Sequence, residues 1–246
     1  MKAQRITANP AAGASVPAVP KGAKTRITPA ETWQMIEAAS LPRDRGGAED
    51  GVLAMAIFLA AYAGCRRGEL CGLQWGDLDV DTMTLRIVRQ WVQGAGGQYL
   101  ADLKSDTAVV DGARIVRLGP ATVEALLRYK AWLRTELELE REPDGWMLSY
   151  DAGSTPMRAR SLGEAITALG RRLGIKATTQ SFRRTSSTEL VAAGVDVDTA
   201  ARRQGHTTEV MLRDYALGAD DKAVTAAATL EARLEDQGLP IGELFA

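Results

Sequence analysis

The sequence predicts an α+β protein that is mainly helical and contains one small three-stranded antiparallel sheet. Segments with helical apolar spacing and helix-start signals lie on both sides of a short region, residues 83–118, that is rich in β-branched residues and turns. The composition, 46% hydrophobic and 25% charged, is typical of a globular protein. A chain of 246 residues is long enough for one or two domains with a buried core.

The N-terminal region is predicted to be a linker followed by two helices. Prolines and small residues over 9–23 disfavour both helix and strand. Thr28-Pro29-Ala30-Glu31 combines a capping box with proline at the first helical position, which predicts a helix over 29–39. After a polar loop at 44–49, the apolar segment 51–63 is expected to be a largely buried helix.

The predicted sheet lies in the middle of the chain. After a break at Gly64 and a short helix, strands are expected over 83–92, 99–103 and 113–118. The glycine-rich turn that follows the first strand and the apolar alternation of the third favour antiparallel pairing. Lys104 is expected to begin the last turn of this sheet.

The second half of the chain is predicted to be helical. Proline near the start of its first helix and glycine before later ones mark the boundaries. The predicted helices span residues 120–140, 158–173, 181–193, 196–204, 208–215 and 219–237. The last of these forms a separate alanine-rich tail, 219–246.

The composition argues against several classes of protein. One histidine and two cysteines do not support a multi-histidine metal site, a zinc site or a disulfide framework. The sequence has no membrane-length apolar run and no signal peptide, so we expect a cytoplasmic protein without a membrane partner. A net charge of −1 is not typical of a nucleic-acid-binding domain. Basic residues are concentrated in 1–30 and 158–213, however, so the folded protein could still present a basic face.

His206 and Tyr215 form the first candidate site. On one continuous helix, residues nine apart would point to opposite faces, at about 100° per residue. They can approach each other only if His206 precedes a helix that Thr207 or Thr208 caps and that ends near Tyr215. The alternative is a polar turn followed by an amphipathic helix whose tyrosine packs on the core.

Four segments, in order and spacing, resemble the tyrosine recombinases, the phage integrase family. Each segment alone is a weak signal, but together they are specific and cover about residues 24–218. They are AGCRRGEL (63–70) with Arg66, LKS (103–105) with Lys104 followed by RIVRL (114–118), QSFRRT (180–185) with Gln180 and Arg183, and Gly205-His206 with Tyr215.

The resemblance implies a catalytic domain that cuts and rejoins double-stranded DNA through a 3′-phosphotyrosine at Tyr215. Arg66 and Arg183 would hold two phosphate oxygens, since the guanidinium fork is planar, charged and bidentate. His206 would donate to the same oxygens, and Lys104 would protonate the departing 5′-oxygen. Such help is needed because a tyrosine with a pKa near ~10 is only about a thousandth phenolate at neutral pH.

The resemblance also carries expectations about partners and cofactors. Neither a metal nor another cofactor is required, since the phosphotyrosine link conserves the bond for rejoining. Family members act as tetramers on two DNA duplexes, so a DNA-associated homotetramer is expected. The tail helix would pack on a neighbouring protomer through Ala226, Ala227 and Leu230, or alternatively within its own chain.

Two departures from the family pattern bear on activity. Gln180 stands where the family usually has histidine, and glutamine cannot take up a proton at neutral pH. We therefore expect reduced cleavage. The family usually carries a helical core-binding domain ahead of the catalytic one, whereas residues 1–23 resemble only a remnant of the linker between them. Half a DNA clamp would bind weakly and with steep salt dependence.

Other interpretations remain open. The chain as a whole could be a truncated or impaired DNA-binding relative, or a DNA relaxer similar to type IB topoisomerases. The spacing from Gly205-His206 to Tyr215 favours a recombinase over a topoisomerase. Taken singly, Arg66 could pair structurally with Glu69, Lys104 and Arg183 could be solvated, and His206 could be a structural histidine.

Overall fold

The computed structural model describes residues 26–40, 49–103 and 111–215. For residues 49, 50 and 213–215 it describes the backbone alone. The predicted linker 9–23, Lys104 and the predicted tail helix 219–237 lie outside the described residues.

The described residues form eight α-helices and five short strands. The helices are α1 (Pro29–Ser40), α2 (Glu49–Tyr62), α3 (Arg67–Gly72), α4 (Pro120–Glu136), α5 (Ala159–Leu173), α6 (Thr179–Ala192), α7 (Val197–Gln204) and α8 (Thr208–Tyr215). The strands are β1 (Leu78–Asp79), β2 (Thr84–Ile87), β3 (Arg89–Gly94), β4 (Gly97–Asp102) and β5 (Arg114–Arg117). The prediction of a mainly helical α+β protein with a small antiparallel sheet is confirmed.

Helix α2 lies at the centre of the core. Its residues Val52, Ala56 and Leu59 are fully buried, and it packs against α1, α4, α5 and α6. A helix that is apolar on every side can be stable only when neighbours surround it, which is the reason the sequence predicted a buried helix here. None of the helices in the described part of the chain is long and apolar enough to cross a membrane.

The strand pairing differs from the predicted sheet. The predicted strand 83–92 is two strands, β2 and β3, separated at Val88. The three-stranded sheet has the order β1-β2-β5, while β3 and β4 form a separate hairpin. At the start of β3, Arg89 Nη1 donates to Asp77 Oδ2 at 2.7 Å and to the Gly72 carbonyl at 3.0 Å, which ties this strand to the end of α3.

Helix boundaries shift where side chains or strained backbone set them. Helix α4 ends earlier than predicted, since Glu138 adopts a left-handed φ of 50°. Helix α6 begins two residues before the predicted 181, because Thr178 is its cap: Ser181 N donates to Thr178 Oγ1 at 3.2 Å. Gln180 consequently lies in the first turn of α6.

Candidate functional site

A cleft of about 850 Å³ lies between α3, α5, α6 and the turn that precedes α8. Its lining is strongly basic and includes one carboxylate, that of Glu164. An arginine-rich cleft with so little negative charge is suited to an anionic ligand. The arginines, the histidine and the glutamine that line the cleft are Arg66, Arg67, Arg160, Arg171, Arg183, His206 and Gln180.

Arg183 reaches the cleft from α6 and is only 3% exposed. Its Nη1 donates to the Gly64 carbonyl, and its Nε donates to His206 Nε2 at 3.3 Å. Its Nη2 is buried and has no hydrogen-bond partner among the described residues. Burial, and next the charge of Arg66, lower the pKa of Arg183 to about 9, so it is still a cation at neutral pH. A buried donor without a partner is costly unless a ligand supplies the acceptor.

Arg66 caps α3 and faces the same cleft. Its backbone N donates to Glu69 Oε2 at 2.8 Å and its Nη1 to Glu69 Oε1 at 2.7 Å. Its Nη2 donates to the carbonyl of Gly205. The structural pairing with Glu69 that the sequence left open is therefore present. It orients a side chain that is still 44% exposed, so the pairing does not remove Arg66 from the cleft.

Glu69 is buried beneath Arg66 and also accepts from Nη2 of Arg114 on β5. Burial by itself raises the pKa of a carboxyl, but attraction to Arg114, Arg183 and Arg66 outweighs it and lowers the pKa of Glu69 to about 2. The carboxylate is therefore ionised at neutral pH. It provides the negative charge that holds three arginines close together.

Sequence reasoning missed Arg114, although the signal was present. Strand β5 alternates between buried and exposed residues, with Arg114 and Val116 facing inward. The period of two along a strand puts these residues on the same face. A charged residue on an apolar face indicates a buried partner, but the strand pattern does not reveal that the partner is Glu69.

His206 occupies the turn between α7 and α8. Helix α7 ends at Gly205, whose left-handed φ of 59° reverses the chain. Val210 N donates to Thr207 Oγ1 at 3.1 Å, and α8 begins at Thr208. His206 thus lies just before a capped helix, which is the arrangement that the sequence predicted would be needed.

Helix α8 is held against α7 by the Met211 side chain and by a hydrogen bond from Thr208 Oγ1 to Asp198 Oδ1 at 3.1 Å. Met211 is fully buried and clusters with Ala200 and Ala201 of α7. The helix ends at Tyr215, whose side chain, like the whole of Lys104, lies outside the described residues. The structure therefore does not test the positions of these two predicted groups.

Gln180 is exposed in the first turn of α6 and lines the same cleft as Arg183, one helical turn away. Of the six residues proposed from the sequence, the described structure brings Arg66, Gln180, Arg183 and His206 to one cleft. It adds Arg67, Arg160 and Arg171, which the sequence did not single out. Arg160 and Arg171 are about three helical turns apart on α5, so helical spacing could have paired them.

Comparisons with solved structures show the same fold in DNA recombinases. The Tn1549 transposon integrase, solved in complex with transposon right end DNA, is 21% identical with a TM-score of 0.66, covering 84% of this chain and 66% of that one. The XerA recombinase is 23% identical with a TM-score of 0.57, covering 84% and 65%. The XerH recombinase, bound to palindromic difH substrate, is 15% identical with a TM-score of 0.56, covering 83% and 52%.

These likenesses are low in sequence identity and concern the fold. The chain spans about two thirds of the length of the first of these solved proteins. No curated protein matches it in sequence. The sequence profile of the phage integrase family, however, matches residues 25–221. Because this match covers most of the chain, the protein belongs to the phage integrase family, whose catalytic domain is that of the tyrosine recombinases.

Proposed function

We propose that the protein is a site-specific DNA strand transferase that cuts and rejoins double-stranded DNA through a covalent 3′-phosphotyrosine at Tyr215. The observation that carries this proposal is that Arg66, Arg183 and His206, from three separate parts of the sequence, line one basic cleft. Two guanidinium groups and an imidazole are suited to the non-bridging oxygens of a phosphodiester.

In the proposed reaction, the phenolic oxygen of Tyr215 attacks the phosphorus. A Tyr–O–P bond forms and the bond from phosphorus to the 5′-oxygen breaks, with Lys104 giving a proton to that oxygen. Arg66 and Arg183 stabilise the negative charge that develops on the phosphoryl oxygens. The reverse reaction, by a 5′-hydroxyl, rejoins a strand without an external energy source.

The buried Nη2 of Arg183 supports this role. It has no acceptor among the described residues, while Nη1 and Nε of the same side chain are held by Gly64 and His206. A phosphate oxygen in the cleft would supply the missing acceptor. The guanidinium is thereby oriented before the ligand arrives, so little reorganisation is needed in the transition state.

Arg67, Arg160 and Arg171 extend the basic lining along α3 and α5. We assign them to phosphates that flank the cleavage position, which fix the register of the DNA without reading its sequence. We also propose that the active form is a homotetramer on two DNA sites. The Tn1549 transposon integrase and the XerH recombinase, which share the fold, were both solved in complex with DNA.

Gln180 favours a second candidate function, binding to DNA without efficient cleavage. It is exposed at the cleft but cannot accept a proton at neutral pH, so the phenolic proton of Tyr215 would have to leave through water or another group. A third candidate, relaxation of supercoiled DNA without strand exchange, shares the covalent step and differs in its products.

A covalent-trapping experiment separates these candidates. The protein is incubated with a library of nicked duplexes of randomised sequence, which lose a short fragment after cleavage and cannot be rejoined. Covalent protein–DNA adducts are counted on a denaturing gel. We expect adducts with the unaltered protein and none with Tyr215→Phe.

The matched control is Tyr62→Phe, since the Tyr62 ring is exposed and stacks on Phe58 rather than lining the cleft. Adducts that persist in Tyr215→Phe would refute Tyr215 as the nucleophile. If the protein retards DNA on a native gel but forms no adduct, the second candidate, DNA binding without efficient cleavage, is supported. Relaxation of a supercoiled plasmid without recombinant products would favour the third candidate.

A further inference from the structure

We propose that Arg114 is a positioning residue that fixes Arg66 and the turn bearing His206 without itself lining the cleft. The effect on catalysis rests on the proposed function. Arg114 opens β5 and points inward, and the whole residue is 1% exposed. Arginine is almost never so buried unless its charge is paired. The partners of its side chain therefore indicate what it does.

On one side, the hydrogen bonds of the Arg114 side chain lead through Glu69 to Arg66. Nη2 of Arg114 donates to Glu69 Oε2, while Glu69 Oε1 accepts from Arg66 Nη1 at 2.7 Å. The Glu69 carboxylate thus joins a fully buried arginine to one that faces the cleft. Fixing the carboxylate on its buried side limits the orientations in which it can hold Arg66.

On the other side, the hydrogen bonds of Arg114 lead to the turn that carries His206. Nη1 of Arg114 donates to the Arg203 carbonyl at 2.7 Å, and Nη2 of Arg66 donates to the Gly205 carbonyl. Both carbonyls lie at the C-terminal end of α7, where a helix leaves its acceptors without internal partners. Positive charge is also favourable at this end of a helix. The two arginines together hold the residues immediately before His206.

Packing adds to the hydrogen bonds. A Cβ atom placed on Gly205 would lie 2.8 Å from Arg114 Cδ and 3.3 Å from Arg66 Nη1. The backbone of Gly205 therefore rests directly on both side chains. The volume of Arg114, as well as its charge, determines where the turn lies.

Strand β5 and helix α7 each donate a side-chain hydrogen bond to the backbone of the other. Arg203 Nη1 donates to the carbonyl of Arg117 at the end of β5, and Arg203 Nη2 donates to the Tyr62 carbonyl at 2.9 Å. Arg114 therefore acts where strand β5 and helix α7 are joined by hydrogen bonds from both elements. Moving it would displace α7 relative to Glu69.

A positioning role differs from a merely stabilising one in a measurable way. Loss of a stabilising contact lowers the folded fraction but leaves the folded molecules with the same site. Loss of a positioning contact changes the surroundings of His206 in the molecules that remain folded. His206 is the only histidine of the chain, so its ring protons give a single set of NMR signals.

The experiment compares Arg114→Met, which keeps the length but removes charge and donors, with Arg114→Lys, which keeps the charge on one donor group. The control is Arg117→Met, the same change on the exposed face of the same strand. Ring signals of His206 are recorded on the protein without tags or DNA. Adduct formation is measured in single turnover at saturating DNA, together with the Kd for DNA and the thermal midpoint.

We expect Arg114→Met to shift the His206 signals and to slow adduct formation on the order of 10²-fold, since a small misplacement of catalytic groups has effects of that size. The Kd for DNA should change less than about threefold, because Arg114 does not line the cleft. Arg114→Lys should give a smaller shift of the same kind. Arg117→Met, which loses only an exposed hydrogen bond from Nη1 to the Thr82 carbonyl at 3.1 Å, should leave the His206 signals and the adduct rate unchanged.

Unchanged His206 signals and an unchanged rate per folded molecule, with only a lower thermal midpoint, would overturn the proposal. If Arg114→Met does not fold, the same two measurements are made on Arg114→Lys. Unchanged His206 signals and an unchanged adduct rate in that variant would likewise overturn the proposal. If the unaltered protein forms no adduct, the proposed function fails. The His206 signals still test whether Arg114 positions the turn, because they require neither DNA nor catalysis.

Discussion

Arg183 Nε donates a hydrogen bond to His206 Nε2 at 3.3 Å, so an arginine of the cleft is paired with the only histidine of the chain. A guanidinium has no acceptor, and Nε2 must therefore carry a lone pair in this arrangement. In the proposed reaction, Nη2 of Arg183, which has no partner among the described residues, would bind the phosphate oxygen while Nε stays on His206.

The first prediction concerns Arg183→Lys. Lysine keeps a positive charge but cannot contact Gly64, His206 and a phosphate from one planar fork. We expect adduct formation to slow on the order of 10²–10³-fold. Single-turnover trapping measures the rate, and Arg172→Lys on the exposed side of α5 is the control. A loss below about threefold would show that the geometry of the fork is not used, since the expected effect is far larger.

The second prediction is that Gln180→His accelerates formation of the covalent adduct. A neutral imidazole in the first turn of α6 can accept the phenolic proton, whereas glutamine cannot. The gain should be present above about pH 6.5 and disappear below it, where the new histidine becomes protonated. Rates measured across this range check both parts. Gln93→His on the β3–β4 hairpin is the control, and equal rates for all three proteins at neutral pH would contradict the idea.

Local signals in the sequence predicted much of the fold. The Thr28 capping box is present, with Glu31 N donating to Thr28 Oγ1 at 3.1 Å, and α1 begins where it indicates. Helix α7 begins one residue after the predicted 196, because Asp196 is its cap and Oδ1 accepts from Thr199 N at 2.8 Å. Such signals act within one helical turn, so a sequence is sufficient to find them.

Strand partners and buried ion pairs depend on distant residues, and the sequence did not reveal them. The β-branched residues in 83–92 predict a strand but do not encode the change of partner at Val88, after which Arg89 binds Asp77 and the Gly72 carbonyl. Four of the residues that the motifs proposed line one cleft in the structure. Arg114 has no such motif role, and its partner Glu69 precedes it by 45 residues.

The third prediction concerns the pH dependence of stability in Glu69→Gln. The folded pKa of Glu69 is about 2, below the ordinary value of 4.5, so the ionised carboxylate stabilises the fold above pH 4.5 and this contribution is lost as the pH falls toward 2. We expect the variant to lose about 3 kcal/mol of unfolding free energy at pH 7, as for other broken buried ion pairs. Urea unfolding at several pH values checks the change.

The difference from the unaltered protein should shrink as the pH falls below 4.5, the value at which an unfolded glutamate becomes protonated. Glu124→Gln is the control, because the Glu124–Arg128 pair on α4 is exposed and should contribute little. A difference that stays constant from pH 7 to the acid limit would mean that the charge of Glu69 is not what stabilises the fold.

The fourth prediction concerns the salt dependence of DNA binding. Each arginine that contacts a phosphate releases counterions, so Arg160→Ala and Arg171→Ala should each reduce the slope of log K against log salt by about 0.9. Fluorescence anisotropy at several salt concentrations measures these slopes. Arg128→Ala, which removes an exposed arginine on α4 outside the cleft, should leave the slope unchanged. Identical slopes for all three variants would exclude α5 from the DNA-binding surface.

The last prediction compares two glycines that end helices. Gly174 ends α5 and Gly205 ends α7, with φ of 73° and 59°. Alanine costs about 1 kcal/mol of backbone strain at either position. Nothing lies within 4 Å of a Cβ on Gly174, whereas a Cβ on Gly205 would lie 2.8 Å from Arg114 Cδ. Gly205→Ala must therefore displace Arg114 or the turn that carries His206. We expect it to slow adduct formation at least about tenfold while Gly174→Ala lowers only the thermal midpoint; equal effects on both rate and midpoint would mean that backbone strain alone matters.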